Sequence, residues 1–436
     1  MKYGRCWRKD YPSISKQRTI IWTPVCTHAA FAHWQWRHCR HWQQMLQKHH
    51  NRAWPSLKLR EKKQPLCLRT HKNLRMRTAL TVNKTSLPDT DINPLVSVLL
   101  PAYNAAHTLE AALRSLFAQQ SAPDAPLPSF EILVVNDGST DDTAALLRAL
   151  SRDNAAQGRL CALHLPHGGI VAALNAGLAA ARGTFIARMD ADDTAHPHRL
   201  ALQAAHLWNK PELTLSASLV AFGGDRNSAY GFAHFVDWQN SCRSPEEISR
   251  SRFRDTPICH PSAMFRRNAV DCWGAYVDGD FAEDWELWLR WLHNGALMEK
   301  LPHTLLTWND APNRATRADA RYADVACNKL RALWLARHLE RHNPFHPQVW
   351  VMGGGRVARK RLAPLWNLGV RPMAYIDIDA KKIGNVVGGI PVCGRSALPE
   401  PGHCRILNAL TAHGAAEEAS DWLESQGYGQ EDWMIV

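Results

Sequence analysis

Four clusters along this chain carry residue types that handle phosphate, metal ions and protons. Asp190 and Asp192, in the run Asp190-Ala191-Asp192-Asp193, lie two residues apart after an apolar stretch. In an extended chain residues i and i+2 share a face, so the pair is expected to offer two carboxylates to a hard divalent cation, directly or through water. Such a cation offsets charge that develops on a diphosphate. The competing reading is a solvated acidic turn before a helix expected over 199–206. Asn136-Asp137, at the head of NDGSTD, presents amide and carboxylate oxygens to a base imide or a ribose hydroxyl. The same residues suit a helix-capping turn. Glu283-Asp284 opens a helix expected over 283–294, with Trp285, Leu287, Trp288, Trp291 and Leu292 as its buried face. The two acids serve either as a dipole-favoured cap or as a general base near a hydroxyl. His260, in Cys259-His260-Pro261-Ser262, suits a phosphate or acceptor contact and equally a structural role.

These clusters need elements to hold them. Short apolar runs at 95–100, 131–135, 161–165 and 184–189 read as buried strands. They alternate with helices expected over 108–119, with Thr108 as N-cap, 142–150 and 170–181, which predicts an α/β fold with a largely parallel sheet. Pro101 is expected to stop the first strand, and 136–139 is expected to be a turn. Tyr103-Asn104, Asn136-Asp137 and 190–193 then fall at the carboxyl ends of strands, where such sheets place their active sites. From about 215 to 308 the pattern is less regular and richer in Trp, and reads as an acceptor-side region. A helical stretch is expected over 317–342. A strand at 349–352, the run GGGRVA at 353–358 and a strand at 373–378 with Asp377 and Asp379 look like the first unit of a dinucleotide fold, with GxGxxA and a later acid. The remaining length holds only about half such a fold, so a docking or regulatory module is expected ahead of cofactor binding.

The formal charge is +12, but residues 1–75 hold 17 Lys and Arg against Asp10 and Glu61, a balance of +15 that leaves the rest at −3. That removes nucleic acid as an expected partner of the folded body. The segment is rich in Trp, His and Cys yet shows no period, and its Cys and His spacing matches no standard zinc finger. It reads as an extension ahead of a start at Met76. A polar, proline-bounded linker follows at 87–94. The scattered cysteines of the body suit a reducing compartment. No apolar run reaches the roughly 18–20 residues that span a bilayer, and no secretory signal is visible. A cytoplasmic protein is expected, with association at the inner membrane face left open.

Taken together, VLLPAYN at 98–104, VVNDGSTDDT at 134–143, GIVAALNAGLAAARG at 169–183, FIARMDADD at 185–193, HPSAMFRR at 260–267 and EDWELWLR at 283–290 resemble family 2 glycosyltransferases, in order and in spacing. The resemblance implies a GT-A fold, a nucleotide-sugar donor (usually a UDP-sugar), Mn²⁺ or Mg²⁺, an inverting single displacement and a glycan or lipid-linked acceptor. It places Pro101, Tyr103, Asn104, Asn136, Asp137, Gly169, Asn175, Asp190 and His260 around the nucleotide-sugar. Asp190 and Asp192 become the metal–diphosphate motif, and Asp284, beside Glu283, the base. Many members have two acids where this chain has Asn136-Asp137. Membrane helices and a Gln-x-x-Arg-Trp motif of processive synthases are absent from the sequence, so transfer of one sugar is expected. The expected division is a basic irregular segment 1–93, a GT-A domain 94–310, a helical connector 311–345 and a Rossmann-like α/β domain 346–436. The alternatives are a nucleotidyltransferase, which would want a Gly-rich basic loop after the first strand, and an NAD-type oxidoreductase built on the C-terminal fingerprint.

Overall fold

A computed structural model of the chain describes residues 95–310, 317, 319–412 and 414–436. The chain divides into two units, Met1–Arg77 and Thr78–Val436. The expectations for residues 1–93 lie outside the described residues.

Among the described residues the strands form two sheets. In the first, β1 (Val96–Ala102), β2 (Phe130–Asp137), β3 (Leu160–Leu165) and β4 (Phe185–Arg188) pair in parallel in the order β3-β2-β1-β4. The sheet continues through β5 (Thr194–Ala195), β6 (Leu215–Phe222), β7 (Met264–Arg266) and β8 (Met298–Trp308), in the order β7-β6-β8-β5. Here β7 runs antiparallel to both β4 and β6, so the sheet is mixed. Every residue of β1 and β2 is buried, which explains their continuous apolar sequences: helices cover both faces. Val96, Val98 and Leu100 pack with Leu109, Leu113 and Leu147 from the helices Leu109–Phe117 and Thr143–Leu150. Leu99, pointing the opposite way, packs with Leu133 and with Val171, Leu174 and Leu178 of the helix Ile170–Ala180.

Three local expectations change. Pro101 does not end β1, which runs on to Ala102. β4 accompanies β1 only as far as Leu99, so the missing proline N–H interrupts no ladder on that side. Asn136 and Asp137 are not in a turn. They are the last residues of β2, because β3 stays paired with it through Asp137 and Leu165. The stretch 317–342 is not one helix: a single turn Ala320–Tyr322, capped by the Asp319 side chain, precedes Asp324–His342, and extended backbone at Ala323 separates them.

The second sheet contains β9 (Gln348–Met352), β10 (Arg371–Ile376), β11 (Val386–Val387), β12 (Ile390–Cys393), β13 (Ile406–Asn408) and β14 (Trp433–Ile435), in the order β11-β12-β10-β9-β13-β14. Apart from the antiparallel β11, its strands are parallel. Chain order reverses direction at β9, the arrangement of a doubly wound sheet with a switch point between β9 and β13. One helix joins the cores of the two sheets. Trp285 and Leu289 of the helix Glu283–His293 pack in one cluster with Leu335 and Leu339 of Asp324–His342 and with Val349 and Leu362 of the second lobe. The other side of the same helix, Leu287, Trp288 and Trp291, belongs to the core of the first sheet. This is why its apolar face is wide, taking in Trp285, Leu287, Trp288, Leu289, Trp291 and Leu292. Among the described residues no helix is long and apolar enough to cross a membrane.

Candidate active site

The ends of β1 and β2 form one polar group. Tyr103 is about half exposed, and its ring stacks on His167 with centroids 4.3 Å apart. Asn104 adopts a left-handed conformation, φ 50°, which Asn tolerates better than most residues. Its Oδ1 accepts from the Thr140 N–H at 2.8 Å and its N–H donates to Ser139 Oγ at 2.9 Å, tying the two strand ends together. Asp137 is buried, and its carboxylate accepts from the N–H groups of Gly168 and Gly169 at 2.8 and 2.9 Å, with His167 Nδ1 3.0 Å away. Gly169, at φ 84°, is where the loop enters the helix Ile170–Ala180. Asn136 is buried with both ends of its amide engaged, Nδ2 beside His164 Nδ1 at 3.1 Å and Oδ1 accepting from the Ser139 N–H at 3.1 Å.

β4 delivers the acidic run. Asp190 and Asp192 do not face one way along an extended strand. β4 ends at Arg188, and a turn at Ala191-Asp192 folds the carboxylates together. Oxygens of Asp190, Asp192 and Asp193 lie within 4.8 Å of one another. The turn is fastened by the residue after β8: Asn309 donates its N–H to Asp193 Oδ1 at 2.9 Å and its Nδ2 to the Asp192 carbonyl at 2.8 Å. Arg188 is buried and ion-paired with Asp190, while its Nε has no hydrogen-bond partner among the described residues. Burial opposes its charge, but Asp190 outweighs that and holds the guanidinium above its ordinary range.

A cavity of about 570 Å³ starts at this turn. Arg188, Asp190 and Asp192 line one part of it, and His260, Glu283 and Asp284 another. Glu283 is buried at the first turn of its helix and accepts a hydrogen bond from Tyr322 Oη at 2.7 Å. Burial, then the charge of Glu283, pushes the Asp284 carboxyl up to about 7. Both effects disfavour the ionised form, and the result sits where a general base works best at neutral pH. His260 is held well below its ordinary range by burial and then by Arg188, so it is neutral; its Nε2 lies 2.7 Å from Tyr276 Oη.

The structure therefore places the predicted residues in two groups. Tyr103, Asn104, Asp137 and Gly169 gather at the strand ends. Asp190, Asp192, His260, Glu283 and Asp284 gather in the cavity, and Ile170, next to Gly169, links the two. Pro101 and Asn136 sit within strands. Asn175 is spent elsewhere: its Nδ2 donates to the Tyr276 carbonyl at 2.9 Å and its Oδ1 accepts from the Tyr276 N–H at 3.1 Å. It positions the tyrosine that meets His260. In the second lobe Asp377 pairs with Lys382 at 3.0 Å and accepts from the Asp379 N–H. Sequence reasoning missed Arg188, Asn309 and Tyr322. Arg188 had a signal, a charge closing an apolar strand just ahead of the acids. Tyr322 had none, because its place beside Glu283, 39 residues away, is set by the connector's path.

The sequence profile of glycosyl transferase family 2 matches residues 97–274, from β1 through the helix Asn268–Trp273. The amylovoran biosynthesis glycosyltransferase AmsE of Erwinia amylovora is 30% identical over 216 residues, 49% of this chain and 75% of its own. The hyaluronan synthase of Pasteurella multocida is 34% identical over 118 residues, 27% of this chain and 11% of its own. The succinoglycan biosynthesis protein ExoO of Rhizobium meliloti is 40% identical over 113 residues, 26% of this chain and 30% of its own. The chain thus spans a small part of two of these relatives and most of the amylovoran protein. Among solved structures, S. aureus TarS 1-349 in complex with UDP-GlcNAc superposes with a TM-score of 0.42 and 19% identity, covering 57% of this chain and 74% of that one.

Proposed function

The chain belongs to glycosyl transferase family 2, and on that premise we propose that it moves one sugar from a nucleotide-sugar, a UDP-sugar in first place, to an acceptor hydroxyl with inversion at the anomeric carbon. The observation that carries this reading is the single cavity that holds both the acidic turn and the raised carboxyl of Asp284. The nucleoside is assigned to Tyr103, Asn104 and Asp137, whose ring and polar groups suit a base and a ribose. The oxygen-only set of Asp190, Asp192 and Asp193 fits a hard divalent cation such as Mn²⁺ or Mg²⁺, which when bound would offset charge on the diphosphate. Arg188, with its unmatched buried Nε, is a further candidate for a diphosphate oxygen.

In this mechanism Asp284 takes the proton from the acceptor hydroxyl. The oxygen attacks the anomeric carbon from the side opposite the nucleotide, and the bond to the diphosphate breaks with its electron pair on the departing UDP. Glu283, held by Tyr322, keeps the Asp284 carboxylate basic by charge repulsion. His260, neutral and held by Tyr276, forms part of the wall beside the reacting centre. The physiological setting proposed is assembly of a surface glycan on the cytoplasmic side, on a glycan or lipid-linked acceptor, by a transferase domain over 94–310, a connector over 311–345 and a Rossmann-like domain over 346–436.

The test is to incubate the full chain with UDP- and GDP-sugars, with Mn²⁺ or EDTA, and to follow nucleotide release and product stereochemistry by NMR. UDP release that needs the metal and a product of inverted configuration are expected. Retained configuration would exclude the single displacement, and release of pyrophosphate would replace transfer of sugar by transfer of nucleotide.

A further inference from the structure

We infer that the C-terminal lobe is part of the substrate site, and that Lys360 and Arg361 hold an anionic group, phosphate or carboxylate, carried by the acceptor. The inference rests on the reading above, in which the acceptor approaches Asp284. The cavity that starts at Asp190 and Asp192 does not end at Asp284. It is lined as well by Asp324, Cys327, Asn328 and Arg331 of the connector helix Asp324–His342 and by Val357, Lys360 and Arg361 of the helix Arg356–Trp366. Those three residues stand at i, i+3 and i+4, one stripe of the helix. The neighbouring stripe, Ala358, Leu362 and Leu365, is buried in the core shared by the two lobes. Packing therefore fixes the orientation of this helix, and with it the stripe that meets the cavity.

The charge at this end differs in sign from that at the other. The acidic turn contributes carboxylates, where a cation and the donor diphosphate are assigned. The far end contributes Arg331, Lys360 and Arg361 against Asp255 and Asp324. Arg331 is buried and donates to the carbonyls of Phe253 and Arg254, which positions its charge without cancelling it. Arg361 donates to the Val436 carbonyl at 3.0 Å through Nη1. Lys360 is exposed and has no hydrogen bond or ion pair among the described residues. An ammonium and a pre-positioned guanidinium lining one cavity make a receptor for a phosphate or carboxylate. A neutral acceptor would gain nothing from it. Tyr103 and Asp137, the residues assigned to the nucleoside, do not line this cavity, so the basic end is not a second contact to the donor base.

The experiment uses the full chain with UDP and Mg²⁺ at saturating concentration, so that the donor side is occupied, and compares wild type with Lys360→Glu, Lys360→Ala and Lys360→Arg. Two probes separate the possible sources of the anion: glucose 1-phosphate in solution, with glucose as control, and vesicles containing phosphatidic acid, with phosphatidylcholine vesicles as control. Binding is followed by tryptophan fluorescence, since Trp285 and Trp308 line the cavity. Anion-dependent binding that weakens about tenfold in Lys360→Glu, weakens less in Lys360→Ala and is restored in Lys360→Arg supports the site. A response to the sugar phosphate alone assigns a glycan-borne anion, and a response to phosphatidic acid vesicles a lipid-borne one. Equal binding by all four proteins, or no preference for either anion over its neutral control, overturns the inference. Failure of UDP itself to bind would instead count against the donor reading. Lys360 lies on the exposed surface of its helix, and circular dichroism checks that each variant is folded.

Discussion

At the scale of single residues, the raised carboxyl of Asp284 makes two linked predictions. As the proposed base it must be ionised, so kcat/KM should climb with pH and level off above about 7. Asp284→Asn should lower kcat by about 10²–10⁴-fold. The same substitution should stabilise the protein. An aspartate normally loses its proton near 3.9. Asp284, at about 7, binds its proton more tightly folded than unfolded, so its ionisation costs stability that grows as pH rises from about 4 to 7. Asp284→Asn should therefore melt higher than wild type at pH 8, by about 2–4 °C for each kcal/mol relieved, and the difference should vanish below pH 4. A variant that melts lower at pH 8 would mean that the carboxylate is stabilised where it stands. Tyr322→Phe should act in the opposite direction. It removes the hydroxyl that donates to the buried Glu283, and a bond to a charged group is worth about 1.5–3 kcal/mol. Urea titration at pH 8 measures that loss; an unchanged midpoint would show that water replaces the phenol at no cost.

At the scale of elements, one close packing contact positions the loop at Gly168 and Gly169. The helix Ile170–Ala180 lies close on β1 and β2 because position 177 has no side chain: a Cβ there would fall 2.0 Å from Leu99 Cδ1 and 3.1 Å from Val135 Cγ2. Gly177→Ala gains helix propensity of roughly 1 kcal/mol, but overpacking of this kind costs about 1–3 kcal/mol. The expected net effect is a lower melting temperature and a shifted loop at Gly168 and Gly169, seen as weaker nucleotide binding. A more stable Gly177→Ala with unchanged binding would show that Leu99 repacks freely. Much at this scale is legible in the sequence. The buried strands are continuous apolar runs, and the polar clusters follow at their ends. The strand limits are less so. Whether Pro101 or Asn136-Asp137 ends a strand depends on how far the neighbouring strands accompany it, which is information from other parts of the chain.

At the scale of the whole molecule, the helix that carries Glu283 and Asp284 is the joint between two lobes. Trp288 and Trp291 are buried toward the first sheet, and Trp285 and Leu289 toward the connector and the second. Lobes that share a core in this way should unfold together. One calorimetric transition is expected for residues 95–436, with van't Hoff and calorimetric enthalpies in agreement. Two separated transitions would show that the second lobe folds on its own and only leans against the first. The same joint is what the proposed role of the C-terminal lobe rests on: the core that positions Asp284 also positions Lys360 and Arg361.

The amino-acid sequence by itself determined the fold class, the family resemblance and the residues of the acidic turn and of the proposed base, because these are written in local runs: apolar stretches of strand length, and acids placed just after a strand or at the start of a helix. The tertiary structure decided which of those residues share a cavity. It turned Asn175 from a donor contact into a support for Tyr276, and it replaced an extended Asp190–Asp192 pair by a turn tied down by Asn309. It also brought Tyr322 to Glu283, and Lys360 and Arg361 to the far end of the same space. Each of these depends on residues distant along the chain, and pairings of that kind are set by packing between elements rather than by any pattern within one.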